Sequence, residues 1–287
     1  MDDHRDTLQR FRAAGLRPKK SFGQNFLHDR GLARRIAERC TSPPGGTVLE
    51  IGAGLGALTR PLLQRAARVV AVERDRDLVP LLRETFDEAR HVSIVEADAV
   101  RWDWGRAFVD DAPRPHVVAG NLPYQLSGRI LERCVQRARA IDRAVFMLQR
   151  EVVERLAAQP GRGARAYGVL SVFTQAAFSV EVLLRAPPGA FIPPPRVASA
   201  VVVLTPRASG GVEEDDVFRV VVKGAFAQRR KKRRPNWRSL FAFAGATLAA
   251  MAAETDVDLD ARAETVDVAT FARVADWCRR RRPDATR

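Results

Sequence analysis

Thr47-Val-Leu-Glu-Ile51 is a short run of β-branched and aliphatic residues that ends in Gly52-Ala-Gly-Leu-Gly56, and this junction constrains the fold more than any other stretch of the chain. The apolar run has the length of a buried strand, and the glycines at alternate positions permit the tight backbone of a strand-to-helix loop. The alternation then continues. Ala57 to about Ala66 reads as a helix, Val69-Val-Ala-Val-Glu73 as a second strand and 77–88 as a helix; Val92-Ser-Ile-Val-Glu96, 116–119 and Ala144-Val-Phe-Met-Leu148 read as further strands. Strands alternating with helices imply right-handed crossovers and a mostly parallel sheet covered on both faces, which is a doubly wound α/β domain.

The flanking segments read differently. The first 28 residues are basic and polar and end in Ser21-Phe22-Gly23-Gln24-Asn25-Phe26-Leu27, which fits neither a helical nor a strand period; a helix follows from about Asp29 to Cys40, with Asp29 as its N-cap. After the core alternation, Tyr167 to Phe178 reads as a helix, and Val180–Leu184 and Ala200–Leu204 as two strands that pair antiparallel and finish the sheet. Between them, Pro187 to Pro195 is too proline-rich for regular structure. Ser209-Gly210-Gly211 marks a linker, and helices are expected over 217–228, 239–253 and 266–281. The domain expectation is therefore a basic N-terminal segment (1–28), an α/β domain (29–207) and a small helical domain (208–287).

The acids around the glycine loop narrow its ligand. By pattern alone the loop suits a dinucleotide as well as S-adenosylmethionine. Glu73 ends the second strand, where a carboxylate accepts the ribose hydroxyls of an adenosine in either cofactor; Asp98 follows the third strand, within reach of an adenine amine. Glu50 precedes the glycines. Its charge would repel a pyrophosphate and attract a sulfonium with an ammonium group. Each acid alone is also an ordinary solvated strand end, but ligands of such sheets bind at the carboxyl ends of the strands, where all three converge.

At the end of the strand at 116–119 stands Asn121-Leu122-Pro123-Tyr124. An exocyclic amine on a nucleobase is a poor nucleophile because its lone pair is delocalised into the ring. The Asn121 side-chain oxygen and a backbone carbonyl held by Pro123 are acceptors that would draw the amine hydrogens out of plane, while Tyr124 offers a stacking face. The plainer reading of these residues is a loop with a helix N-cap.

Charge points to the substrate. The formal net charge is +14, and Arg229, Arg230, Lys231, Lys232, Arg233, Arg234 and Arg238 supply half of it within ten residues that hold no acid. Such a run favours a polyanion, nucleic acid before an anionic membrane surface, against the plainer reading of a solvated face. Cys40, Cys134 and Cys278 are scattered, with neither disulfide nor zinc spacing, so no metal site is expected. No apolar stretch approaches the ~20 residues of a membrane span and the N-terminus has no signal-peptide pattern, so a cytoplasmic location is expected.

Glu50-x-Gly52-x-Gly54-x-Gly56, Glu73, Asp98 and Asn121-Leu-Pro-Tyr124 in this order, with Phe22-Gly-Gln-Asn-Phe-Leu27 and Ala190-Phe-Ile-Pro-Pro-Pro-Arg-Val-Ala-Ser199, resemble the ribosomal RNA adenine N6-dimethyltransferases of the KsgA and Erm type, which are Rossmann-like class I methyltransferases. The match runs from about residue 19 to 240. Met147–Arg155, Ala166–Ser171, Pro187–Phe191 and Ala225–Lys231 are closer to the KsgA branch. One departure follows Lys231, where Lys232-Arg-Arg-Pro-Asn-Trp-Arg238 replaces the family's usual uncharged residue and Arg-Asn pair.

The resemblance implies S-adenosyl-L-methionine as methyl donor, with Asn25, Leu27, Glu50, Gly52, Gly54, Glu73, Asp98 and Asn121 around it. It implies Asn121, Leu122, Pro123, Tyr124 and Phe191 around the target adenine, and ribosomal RNA held by 229–234. The expected activity is dimethylation of two adjacent adenines in the 3′-terminal hairpin of small-subunit RNA, by a monomer acting on an assembly particle. An Erm-type enzyme acting on 23S RNA and a mainly non-catalytic assembly factor are the alternatives. A DNA adenine methyltransferase is disfavoured by Leu122 ahead of Pro123, and an NAD-dependent oxidoreductase is the remaining alternative, which cofactor binding decides.

Overall fold

The computed structural model describes residues 3–109, 111–161, 164–207, 215–227, 237 and 245–281. The expected RNA-binding run at 229–234 lies outside these residues, as does the linker at 209–211. The chain divides into two compact units, one of 1–153 with 181–206 and one of 154–180 with 207–287.

The first unit is built on a seven-stranded sheet. Its strands are β2 (Thr47–Ile51), β3 (Arg68–Glu73), β4 (Val92–Glu96), β5 (His116–Asn121), β6 (Arg143–Gln149), β7 (Phe178–Ala186) and β9 (Ser199–Pro206), in the order β4-β3-β2-β5-β6-β9-β7. The five strands from β4 to β6 run parallel, and β9 pairs antiparallel with β6, so the mostly parallel sheet expected from the alternation is present. Every residue of β2 is buried. That is why the segment reads as an unbroken apolar run: a central parallel strand is covered on both faces. A second, two-stranded ribbon pairs β1 (Phe26–Leu27) with β8 (Phe191–Ile192).

The helices of this unit follow local signals closely at some points and not at others. In α2 (Arg30–Cys40), Asp29 caps the first turn by accepting from the Leu32 N–H at 2.9 Å, and Leu32, Ala33, Ile36, Ala37 and Cys40 form the buried stripe. Helix α1 (Asp3–Ala13) is absent from the sequence expectation. Its charged residues mask an apolar contact, Phe11 against Phe26, whose rings meet edge-on 5.4 Å apart. The helix expected over 57–66 is the much shorter α3 (Thr59–Leu63), because the chain closes tightly after it, with the Arg65 N–H on the Leu62 carbonyl. Two further helices, α4 (Leu78–Thr85) and α5 (Ser127–Gln136), also flank the sheet, and α6 (Arg150–Ala157) follows β6.

The second unit is helical: α7 (Val169–Ala177), α8 (Asp216–Phe226), α9 (Gly245–Thr255) and α10 (Val268–Arg281). Its core holds Tyr167, Phe218, Trp237, Met251, Phe271 and Trp277. The Tyr167 hydroxyl donates to the Val266 carbonyl at 2.9 Å, and Arg279 grips Asp215, the N-cap of α8, at 2.6 and 2.9 Å. The sequence expectation counts 154–180 with the α/β domain. These residues instead share the helical core, because Tyr167, Val172 and Ala176 find their apolar partners there.

Gly120, next to Asn121, lies on β5 just past its pairing with Glu50 of β2. A Cβ there would lie 2.4 Å from the Ile51 carbonyl oxygen, a backbone atom that cannot give way. Gly120→Ala should destabilise the protein by about 1–3 kcal/mol through overpacking, read as a lower urea midpoint at unchanged slope.

Candidate active site

The carboxyl edge of the sheet opens into a cleft of about 1190 Å3, counting its mouth, and all twelve cofactor and catalytic residues named from the sequence lie on its wall. They reach it from separate elements. Glu50 and the glycine loop follow from β2, Glu73 from β3, Asp98 from beyond β4, Asn121 to Tyr124 from the end of β5, and Phe191 from β8.

The glycine loop is held by its own acid. Gly52, Gly54 and Gly56 all take positive φ, and the Gly54 N–H donates to Glu73 Oε2 at 2.9 Å. Glu73 Oε1 accepts the N–H groups of Arg74 and Asp75, each at 2.8 Å. Three of the four or so acceptor positions of this carboxylate are thus filled by backbone, leaving about one for a ligand hydroxyl. Burial raises the Glu73 pKa, and those N–H groups oppose the rise.

Glu50 is in the reverse condition. It is 1% exposed, and its Oε2 has no hydrogen-bond partner among the described residues. Burial, joined by the nearby Glu73 charge, pushes its carboxyl up to about 8. A buried carboxylate with one oxygen unpartnered, at the edge of a cleft, suits a cationic ligand group and opposes a pyrophosphate. The donor set therefore fits the aminoacyl end of S-adenosylmethionine.

Residues 21–27 line the cleft and, with Lys19 and Lys20, form a strap along its wall. Phe26 packs on Gly54, where a Cβ would stand 3.3 Å from its ring, and Gly23 lies against Pro123. The Asn25 carbonyl accepts from Asn121 Nδ2 at 3.1 Å. This bond turns the Asn121 amide so that its oxygen is the free end. The Leu122 N–H is bound to the Met147 carbonyl and the Pro123 carbonyl takes the Leu126 N–H, while the Leu122 carbonyl accepts none of the hydrogen bonds found among the described residues. Two acceptors therefore remain side by side on the wall. The plainer reading of Asn121 as a helix cap does not hold, since α5 begins at Ser127 after Leu126.

Tyr124 is fixed by its hydroxyl, 3.2 Å from Ser199 Oγ on β9. Phe191 is placed by strand pairing with Leu27, beyond what the triple proline alone would do, and is 2% exposed. Other residues escaped the sequence reading. Lys19 and Gln24 bind Asp75 at 2.5 and 2.6 Å, and Arg74 stands 3.8 Å from Asp98. The only local signals were the position of Gln24 beside Asn25 and of Asp75 two residues beyond Glu73. Among the described residues no cluster suits a metal ion, and no helix is long and apolar enough to cross a membrane.

A sheet of this order, with a glycine loop after β2 and acids at or just beyond the ends of β3 and β4, defines a class I S-adenosylmethionine-dependent methyltransferase. Within that class, the family described as ribosomal RNA adenine dimethylase matches residues 15–280, and this chain belongs to it. The chain is 44% identical over 285 residues to a ribosomal RNA small subunit methyltransferase A of Anaeromyxobacter sp. (strain K), covering 95% of this chain and 98% of that one. It is 40% identical over 265 residues to the protein of that name from Hahella chejuensis (strain KCTC 2396), covering 92% and 93%. Among solved structures, the 23S rRNA methyltransferase ErmE aligns with a TM-score of 0.66 at 26% identity, covering 88% of this chain and 98% of that one. A dimethyladenosine transferase from Plasmodium falciparum aligns with a TM-score of 0.72 at 21% identity, covering 87% and 95%, and shows the fold.

Glu50 leaves a signature in stability. Its folded pKa lies above the ordinary carboxylate value, so between that value and about 8 the unfolded chain releases a proton that the folded one keeps. Stability attributable to Glu50 is therefore full at low pH and falls as pH rises through that window, by at most about 1.4 kcal/mol per pH unit. Urea titrations from pH 5 to 8.5 should show this slope reduced in Glu50→Gln.

Proposed function

We propose that this protein transfers methyl groups from S-adenosylmethionine to the N6 amines of two adjacent adenines in the 3′-terminal hairpin of small-subunit ribosomal RNA, dimethylating each. The observation that carries this reading is the pair of unpartnered acceptors, Asn121 Oδ1 and the Leu122 carbonyl, on the wall of the cleft that also holds Glu50, Glu73 and Asp98. The cofactor supplies a methyl group on a sulfonium, an electrophile that requires no metal.

The chain's residues prepare the nucleophile. A target adenine cannot be reached within a duplex stack and must be swung out, at a cost of a few kcal/mol unless it lies in a loop. Tyr124, anchored through Ser199, stacks on one face of the base, with Phe191 at the other. Asn121 Oδ1 and the Leu122 carbonyl accept the amine hydrogens and free the lone pair. Holding reactants in such a geometry can contribute ~7–11 kcal/mol. No general base is needed, because the methylated amine is acidic as it forms and releases its proton to water.

Around the cofactor, Glu73 accepts a ribose hydroxyl, Asp98 the adenine amine, and Glu50 faces the ammonium. Asn25, Leu27, Gly52 and Gly54 supply backbone around it. The basic run at Arg229, Arg230, Lys231, Lys232, Arg233 and Arg234 binds the RNA phosphates, and the substrate form is an assembly particle. The names of the relatives at 40–44% identity support the small-subunit branch. The protein acts as a monomer, and a cytoplasmic location fits a ribosomal substrate.

Asn121→Ala should lower the single-turnover methylation rate at least a hundredfold while leaving cofactor binding within a few-fold; a near-normal rate would sink the amine-acceptor role. Methylation of small-subunit particles and of naked 23S RNA, assayed side by side, should favour the particles, and the reverse preference would move the protein to the Erm branch. Neutralising 229–234 should weaken RNA binding and flatten its salt dependence by roughly one unit of slope for each phosphate no longer engaged.

A further inference from the structure

Asp75 is not on the cleft wall, yet two parts of the cleft meet at it. Its side chain is 2% exposed. Oδ1 accepts from Lys19 Nζ at 2.5 Å and Oδ2 from Gln24 Nε2 at 2.6 Å, both on the strap. The Asp75 backbone N–H donates in turn to Glu73 Oε1 at 2.8 Å. The strap residues also grip each other, since the Lys19 N–H donates to Gln24 Oε1 at 2.7 Å, and Lys19 Nζ reaches Asp77 Oδ2 at 2.7 Å. Phe22 lies between two cations, with Lys19 5.5 Å and Arg74 5.3 Å from its ring centre.

This arrangement is more than a surface ion pair. Burial pushes the Asp75 carboxyl up, but the hydrogen bonds from Lys19, the Asp77 N–H and Gln24 more than offset it and hold the group below its ordinary value. A buried carboxylate with that many donors is fully satisfied only while the strap is down, because Lys19 and Gln24 leave with the strap. Lifting the strap would leave the charge short of partners, and that cost favours the closed position. The backbone N–H of the same residue fixes one oxygen of Glu73, the carboxylate beside the glycine loop.

We propose that Asp75 is a positioning residue of the cofactor site: it fastens the strap through Lys19 and Gln24 and orients Glu73 through its own N–H, so strap closure and carboxylate orientation depend on one residue. The inference rests on the cofactor reading above and adds to it what sets the residence time of the bound nucleoside.

Asp75→Asn keeps the N–H to Glu73 and removes the charge that holds Lys19; Lys19→Met removes the partner. Stopped-flow measurement should show S-adenosylmethionine and S-adenosylhomocysteine leaving about tenfold faster from either variant, the loss expected for one charge-assisted hydrogen bond. The KM for S-adenosylmethionine should rise in step, with kcat at saturating cofactor within about twofold. The double variant should be no worse than the worse single one, because both break the same ion pair. Lys19→Arg should restore most of the residence time. Unchanged dissociation in Lys19→Met, or additive losses in the double variant, would overturn the proposal, and a lowered thermal midpoint with normal dissociation would reduce Asp75 to a structural role. Should Asp75→Asn fail to fold, Lys19→Met decides, since the Lys19 side chain is 35% exposed. Failure of the unaltered protein to bind S-adenosylmethionine would instead count against the cofactor reading and leave the strap's hydrogen bonds as they are.

Discussion

β2 is hydrogen-bonded along both edges, to β3 and to β5, and the placement of the whole site depends on that double pairing. Register carries the consequence. Glu50 stands opposite Ala71 on one side and Ala119 on the other, so the chain ends that follow these strands, at Glu73 and Asn121, emerge at one edge within reach of the glycine loop. Parallel strands all present their carboxyl ends to the same side, and this brings residues separated by scores of positions into one cleft. Gly120 shows how tight the pairing is, since β5 approaches the Ile51 carbonyl too closely for any side chain.

The same edge concentrates acidic groups where little water reaches them. Glu50, Glu73 and Asp75 are all buried, and each meets the cost differently. Glu73 is satisfied by backbone N–H groups of the loop it stabilises, and Asp75 by side chains of the strap. Glu50 keeps an unpartnered oxygen. Backbone donors are permanent, strap donors depend on closure, and the missing donor of Glu50 is the one a cationic ligand can bring. The stability of the site thus leans on ligand and strap together, which links binding to closure without any change in the sheet.

Much of this was legible along the chain, for definite reasons. The buried strands appear as apolar runs because both faces of a central parallel strand are covered, and α2 was readable from Asp29 and its apolar stripe. Glu50, Gly52, Gly54, Glu73, Asp98 and Asn121 to Tyr124 could be named because each sits at or just beyond a strand end or in a glycine-rich turn, where a local pattern marks it, whereas Asn25, Leu27 and Phe191 were reached only through the family resemblance. Helix α1 was not legible, since its apolar contacts are made by Leu8 and Phe11 among charges and their partners, Phe26, Leu55 and Leu78, lie elsewhere in the chain. The grouping of 154–180 with the C-terminal helices was missed for a similar reason: an amphipathic helix shows that it has an apolar face without showing what covers it.

The chain's own pattern therefore determined the elements, the order of the strands' chemistry and the residue types offered to a ligand, because periodicity, caps and glycine turns act over a few residues. Tertiary structure alone decided which atoms of those residues remain free. Whether Asn121 offers its oxygen or its nitrogen depends on the Asn25 carbonyl 96 positions away, and whether Asp75 is a surface acid or a fastening depends on Lys19, 56 positions away. Hydrogen-bond partners at such separations are fixed by where the sheet and strap carry the backbone, and local sequence holds no record of that.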